Sequence, residues 1–309
     1  MKKHVALLKG GWSAEREVSL STGSGVEKAL NQLGYQVSVI DVQPDIAVRL
    51  TELKPDVVFN ALHGQWGEDG CIQGLLELLK IPYTHSGVLA SALAMDKPAA
   101  KRIFAAAGLR CAQGEVMRFA ALLAECPFPL PVVAKLPNNG SSVGVYIIHT
   151  QQELELLQQK IKPEQELLVE IYIPGREIQV AVLDTSHGEA EALGAIEIKP
   201  IGEFYDYEAK YTAGRAEHLM PAPLGAAEYE QVCQLAVRAH RALGCRGVTR
   251  SDFRYDDTKL GEGLFYLLET NTQPGMTPLS LVPEIAAHRE ITYNEVVKRL
   301  IESARLDNN

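Results

Sequence analysis

The stretch that most constrains the fold is residues 247–275, GVTRSDFRYDDTKLGEGLFYLLETNTQPG. Two runs rich in β-forming residues, 248–255 and 264–270, flank a polar segment that contains glycines. This pattern is typical of an antiparallel hairpin. Because side chains alternate along a strand, Arg250 and Asp252 share one face of the first strand. The hairpin is therefore expected to carry charged side chains on one face.

Polar side chains also share a face of the second predicted strand, where Glu269 and Asn271 are two residues apart. A turn centred near Leu260 and Gly261 brings Asp252 level with Glu269. Two carboxylates and an amide oxygen then lie together, and hard oxygen ligands of this kind suit Mg²⁺. The alternative is a solvated strand face with ordinary charges, which one hairpin alone would favour.

Two apolar residues of the second strand weigh against that alternative. Strict alternation puts Phe265 and Leu267 on the face that carries Glu269. We therefore expect the metal platform to lie at the edge of a buried face.

A sharp turn is predicted after the hairpin, at Pro274 and Gly275. Thr277, Ser280 and Leu281 then open an apolar helical stretch. A helix that begins there aims unpaired N–H groups and its positive dipole end at an anion. We expect an anion site directly after the hairpin.

The composition is that of a globular protein, since 46% of the 309 residues are hydrophobic and 22% are charged. At this length we expect two or three lobes. The net charge of −9 argues against general binding to nucleic acid or to membrane surfaces. No segment approaches the roughly 18 apolar residues of a membrane span. The apolar run within MKKHVALLKGG is too short for a signal peptide.

The cysteines form neither a CxxC pair nor a zinc-binding pattern with histidines. There are five of them, namely Cys71, Cys111, Cys126, Cys233 and Cys245. This odd number favours reduced thiols, so we expect a cytoplasmic protein.

The N-terminal region predicts a strand at 4–8, a glycine turn, and a helix from Ser13 to about Gly34. Ser13 is the expected N-cap, which places Glu15 in the first turn. Strand, turn and helix invite a dinucleotide-binding interpretation, but the GxGxxG spacing is missing. Glu15 is left with two roles, helix-end electrostatics or ligand binding.

A buried strand is predicted at 56–62, and the loop HGQWGEDG at 63–70 follows it. That loop carries His63, Glu68 and Asp69. A lone histidine in a loop is more often a surface residue. However, ligands of open α/β sheets collect at the carboxyl ends of strands, where this loop and the Glu15 turn both fall. Two polar turns at one edge favour a binding site.

Helices are predicted at 72–79 and 88–107, and the longer one contains Lys97, for which a solvated position is the ordinary expectation. A proline-rich run at 127–131 indicates a linker.

Two β-like runs, 130–136 and 143–149, flank the loop PNNGSS at 137–142. A strand that carries Lys135 and ends in such a loop can close over phosphates, although GxxxxGK[ST] is absent. A plain hairpin loop is the alternative.

Strands at 167–173 and 177–183 flank a hinge at Pro174 and Gly175. Glu170, Tyr172 and Glu177 lie near this hinge, where a carboxylate could accept from ribose and strand backbone could recognise adenine. Residues 203–211, EFYDYEAKY, are expected to form a lid, and 226–243 an amphipathic helix.

Taken together, these segments resemble the D-alanine–D-alanine ligases of the ATP-grasp superfamily over nearly the whole chain. The matching motifs are, in chain order, GGWSAEREVSL at 10–20, LHGQWGEDG at 62–70, MDK at 95–97, GSSVG at 140–144, YDYEAKY at 205–211, GVTRSDF at 247–253 and LLETNTQPGMTPLSLVP at 267–283. One such motif would be unspecific, whereas so many in this order are highly specific.

The resemblance implies an α/β fold, α+β in the later lobes, with ATP held between two antiparallel sheets. Residues 1–95 would form an N-terminal parallel-sheet lobe and 96–180 a central lobe. Residues 181–309 would form a C-terminal lobe with the metal hairpin and the substrate loop. The implied activity is ATP-dependent ligation of two D-alanines for peptidoglycan precursor synthesis, by a homodimer.

The resemblance also implies ligand sets, with ATP as co-substrate. Two Mg²⁺ ions, or Mn²⁺ as the alternative metal, would be bound by Asp252, Glu269 and Asn271. The phosphates of ATP would be contacted by Lys97, Lys135 and Lys210. Adenine and ribose would be bound by Glu170, Tyr172, Ile173 and Glu177.

For the amino-acid substrates, the same resemblance assigns Glu15 to the first D-alanine's ammonium and His63 to the neighbourhood of its carboxylate. The second carboxylate would be held by Ser280 and Leu281. The oxyanion would be stabilised by Arg250 and the N–H of Gly275. A hydrogen-bonded set that closes the lid would be formed by Glu15, Ser141 and Tyr211.

The chain departs from the family pattern at Trp12 and Trp66, which are expected to narrow the first-substrate pocket, and at Asn138 and Asn139 in the phosphate loop. Tyr211 matches dipeptide-forming members rather than depsipeptide ligases. Two alternatives remain open, another ATP-grasp carboxylate–amine ligase and a non-catalytic nucleotide-binding module.

Overall fold

A computed structural model describes residues 3–138, 140, 144–185, 187–200, 216–258, 263–277 and 280–307. This part of the chain contains three β-sheets, which are built from successive stretches of sequence. One sheet is parallel and the other two are antiparallel. Among these residues no helix combines the length and apolar character needed to cross a membrane.

The first sheet is parallel, with strand order β2-β1-β3. Its strands are β1 (His4–Lys9), β2 (Gln36–Asp41) and β3 (Val57–Asn60), joined by helices α1 (Arg16–Gln32) and α2 (Ile46–Leu53). The central strand is apolar on both faces: Leu7 packs toward α1, and Leu8 packs toward α2 and α3 (Cys71–Leu79). Burial on both faces explains the continuous apolar run of β1.

The prediction of one continuous helix at 88–107 is wrong. The structure has two helices there, α4 (Val88–Met95) and α5 (Lys97–Ala106). Asp96 between them has an extended backbone, and its Oδ1 accepts from the N–H of Ala99 at 2.8 Å. Pro98 lacks the N–H that a continuous helix would need there, but it fits a first helical turn. The break places Lys97 at the first residue of α5.

The second sheet is antiparallel, with strand order β4-β7-β5-β6. Its strands are β4 (Gly114–Arg118), β5 (Val132–Lys135), β6 (Val145–Ile148) and β7 (Glu166–Ile171), and helices α6 (Phe119–Ala124) and α7 (Gln151–Leu156) accompany them. The sequence did not predict β4, an edge strand that is largely exposed and lacks apolar alternation.

The third sheet is antiparallel, with strand order β10-β9-β8-β11-β12. Its strands are β8 (Arg176–Asp184), β9 (Ala190–Pro200), β10 (Ala216–Leu219), β11 (Val248–Asp256) and β12 (Leu264–Asn271). Helix α8 (Ala226–Ala242) packs on one face, and α9 (Leu281–His288) and α10 (Tyr293–Ser303) pack on the other. The second face shares its core with α1, which joins the third sheet to the first lobe.

The predicted hairpin is β11–β12, and its register is confirmed because Asp252 lies opposite Glu269. The register shifts at the next position, where Phe253 pairs with Leu267. Since Asp252 and Phe253 point to opposite faces, so do Glu269 and Leu267. The expectation that Phe265 and Leu267 share the face of Glu269 is therefore wrong, because the extra residue of the bulge inverts the alternation.

The predicted fold class, a parallel N-terminal sheet followed by two antiparallel sheets, is confirmed. Lobe boundaries after residues 95 and 180 stay a prediction.

Candidate active site

A cleft opens where the carboxyl edge of the first sheet faces β12 and the start of α5. Predicted site residues from distant parts of the chain line it: Glu15, His63, Lys97, Arg250, Glu269, Asn271 and Gly275. The sequence separation between these residues shows that the fold, and not local spacing, assembles the cleft.

Glu15 lies directly before the first residue of α1, so the predicted cap at Ser13 is wrong. Ser13 Oγ accepts from the N–H of Glu15 at 3.2 Å and donates to the carbonyl of His63 at 2.7 Å, which ties the two loops together. A Cβ at Gly64 would lie 2.9 Å from Glu15 Oε1, and one at Gly140 would lie 3.0 Å from it. The carboxylate therefore packs closely against the backbone of two glycines.

His63 is the centre of a buried hydrogen-bonded chain. Its Nδ1 lies 2.9 Å from Glu68 Oε1, and its Nε2 lies 2.9 Å from Thr22 Oγ1. Thr22 Oγ1 in turn accepts from the N–H of Met276 at 3.3 Å. Burial raises the pKa of Glu68, although the His63 contact opposes the shift. These contacts fix the imidazole and link it to the loop after β12.

The sequence alone does not assign Glu68 to the site. Its position five residues after His63 in a glycine-rich loop is the available signal. Its burial depends on how α1 packs over that loop, which the local sequence does not reveal.

Hydrogen bonds link the loop after β12 to the N-terminal lobe. Gln273 Oε1 accepts from Asn60 Nδ2 at 2.8 Å, and Gln273 Nε2 contacts the carbonyl of Leu62. The space beside Gly275 is closed, since a Cβ there would lie 2.7 Å from Ser280 Oγ. Ser280 is the residue before α9. Gly275 and Ser280 are thus neighbours, and their oxyanion and carboxylate roles stay predictions.

The hairpin brings Arg250, Asp252, Glu269 and Asn271 together. Arg250 donates to both oxygens of Asp252, from Nε at 2.7 Å and from Nη2 at 2.8 Å. Asn271 lies opposite Arg250 in the register. Such a bidentate pair fixes the guanidinium plane.

The oxygens of the hairpin fit a hard divalent cation. Glu269 and Asn271 line the cleft, and the Glu269 side chain is 29% exposed. Asp252 is buried and lies directly opposite Glu269. Two carboxylates and an amide oxygen are the donor types that match the coordination preferences of Mg²⁺.

Lys97 is buried, which corrects the ordinary expectation of a solvated lysine. Its Nζ lies 3.7 Å from Glu269 Oε2. The position at the start of α5 aims the side chain across the cleft toward the hairpin. A cation beside the oxygen cluster suits the binding of a phosphate shared with a metal.

Lys135 and Glu170 form a second charged group on the second sheet. Lys135 Nζ lies 2.5 Å from Glu170 Oε2, and Lys101 Nζ contacts Glu170 Oε1. Burial is the largest influence on Glu170 and opposes ionisation, but the ammonium groups of Lys135 and Lys101 outweigh it and lower the pKa of the carboxyl. Lys101 was not predicted, and its spacing of four residues from Lys97 was the available signal.

The predicted base-binding residues lie at the connection between β7 and β8. Arg254 Nε donates to the carbonyl of Ile173 at 3.1 Å, and its Nη2 donates to the carbonyl of Gly175 at 2.7 Å. The guanidinium carbon lies 5.8 Å from the centre of the Tyr172 ring. Glu177 accepts from Gln179 at 3.0 Å. Arg254 thereby supports the β7–β8 connection from the third sheet.

The predicted roles of Ser141, Lys210 and Tyr211 fall outside the described residues, as does Asn139. The two tryptophans are described: the ring centroids of Trp12 and Trp66 are 6.4 Å apart, and both side chains are partly exposed. They border a small apolar crevice beside His63. Their effect on the first-substrate pocket stays a prediction.

Two antiparallel sheets with lysines and paired carboxylates, joined to a parallel-sheet lobe, define the class of ATP-grasp proteins. Sequence models of the D-ala D-ala ligase C-terminus and N-terminus match residues 114–302 and 46–86. The chain therefore belongs to the D-alanine–D-alanine ligase family, as the motifs predicted. The predicted enzyme class, a ligase, is confirmed as well.

Relatives match along the full length. A D-alanine–D-alanine ligase of Paramagnetospirillum magneticum is 52% identical over 99% of this chain and 100% of its own. One from Methylorubrum populi is 51% identical with the same coverage. The crystal structure of the Bacillus anthracis ligase superimposes with a TM-score of 0.82 at 31% identity and covers 97% of both chains. The same ligase complexed with ATP gives a TM-score of 0.80, 31% identity and coverage of 98% of this chain and 97% of its own.

Proposed function

We propose that this protein ligates two molecules of D-alanine to D-alanyl-D-alanine at the expense of ATP, for peptidoglycan precursor synthesis. The observation that carries the proposal is the common cleft, in which Glu15 and His63 of the first lobe face Arg250, Glu269 and Asn271 of the hairpin. The names of the relatives support the substrates, and the ATP complex of the Bacillus anthracis ligase supports the nucleotide.

The first step converts a poor electrophile into a reactive one. A carboxylate oxygen of the first D-alanine attacks the γ-phosphorus of ATP, the bond to the β-phosphate oxygen breaks, and D-alanyl phosphate and ADP form. Lys97 and Lys135 supply positive charge for the phosphates, and Glu15 is the partner for the ammonium of D-alanine. Positioning and charge stabilisation are most of the catalysis in phosphoryl transfer.

Asp252, Glu269 and Asn271 are the residues that would hold Mg²⁺, with two ions proposed and Mn²⁺ as the alternative metal. When bound, the metal neutralises charge on the phosphoryl oxygens. The oxygen-only donor set and the partial exposure of Glu269 support this assignment.

The second step forms the peptide bond. The amine of the second D-alanine attacks the acyl carbon to form a tetrahedral oxyanion. The nitrogen then loses a proton to solvent and the bond from the acyl carbon to the phosphate oxygen breaks, which gives dipeptide and phosphate. Arg250 and the N–H of Gly275 are the proposed oxyanion donors, and each such donor contributes roughly 2.7 to 4 kcal/mol. Ser280 and Leu281 at the start of α9 are proposed for the second carboxylate, because the helix N-terminus favours an anion.

His63 and Glu68 position the first D-alanine in this proposal. The imidazole is held by Glu68 on one side and by Thr22 on the other, so it does not rotate freely beside the cleft.

The proposed reaction also requires the exclusion of water from the cleft, because the acyl phosphate would otherwise hydrolyse.

We also propose a cytoplasmic homodimer. All five cysteines are free thiols in the described residues, which supports a reducing compartment. Leu78 on α3 and Leu89 on α4 are 84% and 69% exposed, and a second copy would cover such apolar side chains. Light scattering of the purified protein measures the mass: twice the chain mass is expected, and a monomer at micromolar concentration would remove the proposal.

The test of the proposed function is phosphate release from MgATP with D-alanine, in parallel with L-alanine and D-lactate, with product identification by mass spectrometry. Release with D-alanine together with a D-alanyl-D-alanine mass is expected. Efficient release only with a different second substrate would assign another ligase of the same superfamily. ATP binding without release on any substrate would favour a non-catalytic nucleotide-binding module.

A further inference from the structure

Helix α5 carries one lysine to each of the two antiparallel sheets. Lys97 Nζ lies 3.7 Å from Glu269 Oε2 on the third sheet. Lys101, one turn later on the same helix face, contacts Glu170 Oε1 on the second sheet. The helix thus spans the space between the sheets, where the proposed nucleotide site lies, and Lys101 has no role in the function proposed so far.

The two ammonium groups on Glu170 differ in their surroundings. Lys101 Nζ also donates to the carbonyl of Ala112 at 2.7 Å, so it is held by backbone as well as by Glu170. Lys135 is the last residue of β5, and the loop predicted to close over phosphates begins two residues later. Lys101 is therefore anchored in place, whereas Lys135 stands where an incoming phosphate can attract it.

Glu170 itself has little freedom to move. Its side chain is buried, and Gly114 on the neighbouring strand lies so close that an added Cβ would be 2.6 Å from Glu170 Cγ. A carboxylate fixed in this way needs a cation to remain ionised, because a buried unpaired charge is costly and takes up a proton instead.

We propose that Lys101 is a positioning residue for ATP: it is the permanent counter-ion of Glu170, which keeps this carboxylate ionised and oriented at the nucleotide site when Lys135 turns to the phosphates. The proposal rests on the proposed function, in which Lys135 binds phosphate and Glu170 binds the nucleoside.

Within the described part of the chain, the titratable groups that influence Glu170 come from three segments. Lys135 approaches from β5, Lys101 from α5, and the thiol of Cys111 from the segment before β4. Burial raises the pKa of Cys111 to about 11, so the thiol is neutral and adds no charge. Loss of Lys101 would therefore leave Lys135 as the one cation among these groups, and Glu170 would be protonated more readily.

The test compares Lys101→Met, which removes the charge, with Lys101→Arg, which keeps it. Arg102→Met is the matched control, since this exposed cation is the next residue of the same helix. Calorimetry gives the ADP affinity, and kinetics give KM for ATP separately from kcat. We expect Lys101→Met to weaken ADP binding and raise KM for ATP by about 10- to 100-fold, because a buried charge pair is broken. Lys101→Arg and Arg102→Met should stay within about threefold of wild type.

The pH dependence of ADP affinity is a second measurement, and a purely structural role of Lys101 would not change it. In wild type, the lowered pKa of Glu170 keeps the carboxylate ionised as the pH falls. In Lys101→Met, the loss of ADP affinity should be larger at about pH 6 than at about pH 8, because protonation removes the acceptor. Equal losses at both pH values would overturn the proposal.

A second pair of variants keeps the test decisive if Lys101→Met does not fold. With Glu170→Gln there is no carboxylate to balance, so Lys101→Met in that background should change ADP affinity by no more than about twofold. A further large loss in the double variant, an unchanged affinity in folded Lys101→Met, or equal losses in the Met and Arg variants would each overturn the role. If wild type binds ADP but forms no dipeptide, the proposed function is wrong. The ADP affinities of the variants still test the role of Lys101 in that case.

Discussion

Asp252 on β11 lies directly opposite Glu269 on β12, and both of its oxygens accept hydrogen bonds from Arg250. The Asp252 carboxylate therefore has two proposed roles. It belongs to the proposed metal set, and it holds the guanidinium proposed to stabilise the oxyanion.

Asp252→Asn keeps the size of the side chain but removes its charge. We expect kcat to fall by about 100-fold or more, because a metal ligand and the partner of Arg250 are weakened together. Asp257→Asn, an exposed position just beyond the same strand, should retain wild-type turnover. Steady-state kinetics at varied Mg²⁺ concentration measure the effect, and an unchanged kcat would show that the metal assignment is wrong.

Arg250→Met separates transition-state stabilisation from nucleotide binding. Loss of one oxyanion donor should lower kcat by roughly 100- to 1000-fold. ADP affinity should change little, because the proposed nucleoside contacts lie at the β7–β8 connection and not at Arg250. Parallel turnover and calorimetry measure the two quantities. A comparable loss of both would assign Arg250 to ATP binding instead.

Gly140→Ala tests the position of Glu15. The added Cβ would lie 3.0 Å from Glu15 Oε1, so the carboxylate must shift. We expect about a tenfold rise in KM for the first D-alanine, since small displacements of a binding group are costly. Gly74→Ala in α3 is the control, because its Cβ meets no atom within 4 Å. That variant should retain activity and gain roughly 0.5 to 1 kcal/mol of stability. Unaltered KM in Gly140→Ala would argue against a substrate role for Glu15.

Glu68→Gln should change how stability depends on pH. Burial raises the pKa of Glu68 in the folded state above its unfolded value. The folded state therefore binds the proton more tightly, and this contribution to stability is present at low pH and is lost as pH rises through the folded pKa. The amide that replaces the carboxyl group cannot ionise. The variant should therefore become more stable relative to wild type as pH rises, when the two free energies of unfolding are compared. Chemical denaturation across that range measures it, and a parallel pH dependence of the two proteins would contradict the buried position of Glu68.

The sequence predicted the hairpin and the pairing of Asp252 with Glu269 because both depend on local alternation and on the length of the connection. It did not predict the bulge that puts Leu267 on the opposite face. A bulge depends on how β12 pairs with its neighbour, and no residue type in the run FYLLE marks it.

Contacts between distant segments limited the prediction of the site. Lys101 looks like any lysine on an exposed helix until Glu170 and Ala112 approach it in three dimensions. Gln273, which links the loop after β12 to Asn60, is likewise separated from its partner by most of the chain. The family motifs identified the proposed binding residues. The residues that hold those side chains in position were recognised only in the three-dimensional structure.

The most direct test of the central claim follows the oxygen atoms of the first substrate. D-alanine labelled with ¹⁸O in its carboxylate is incubated with MgATP and the protein, and the released phosphate is analysed by mass spectrometry. An acyl phosphate intermediate predicts the transfer of one labelled oxygen to phosphate for each dipeptide formed. Dipeptide formation with unlabelled phosphate would contradict the two-step ligation.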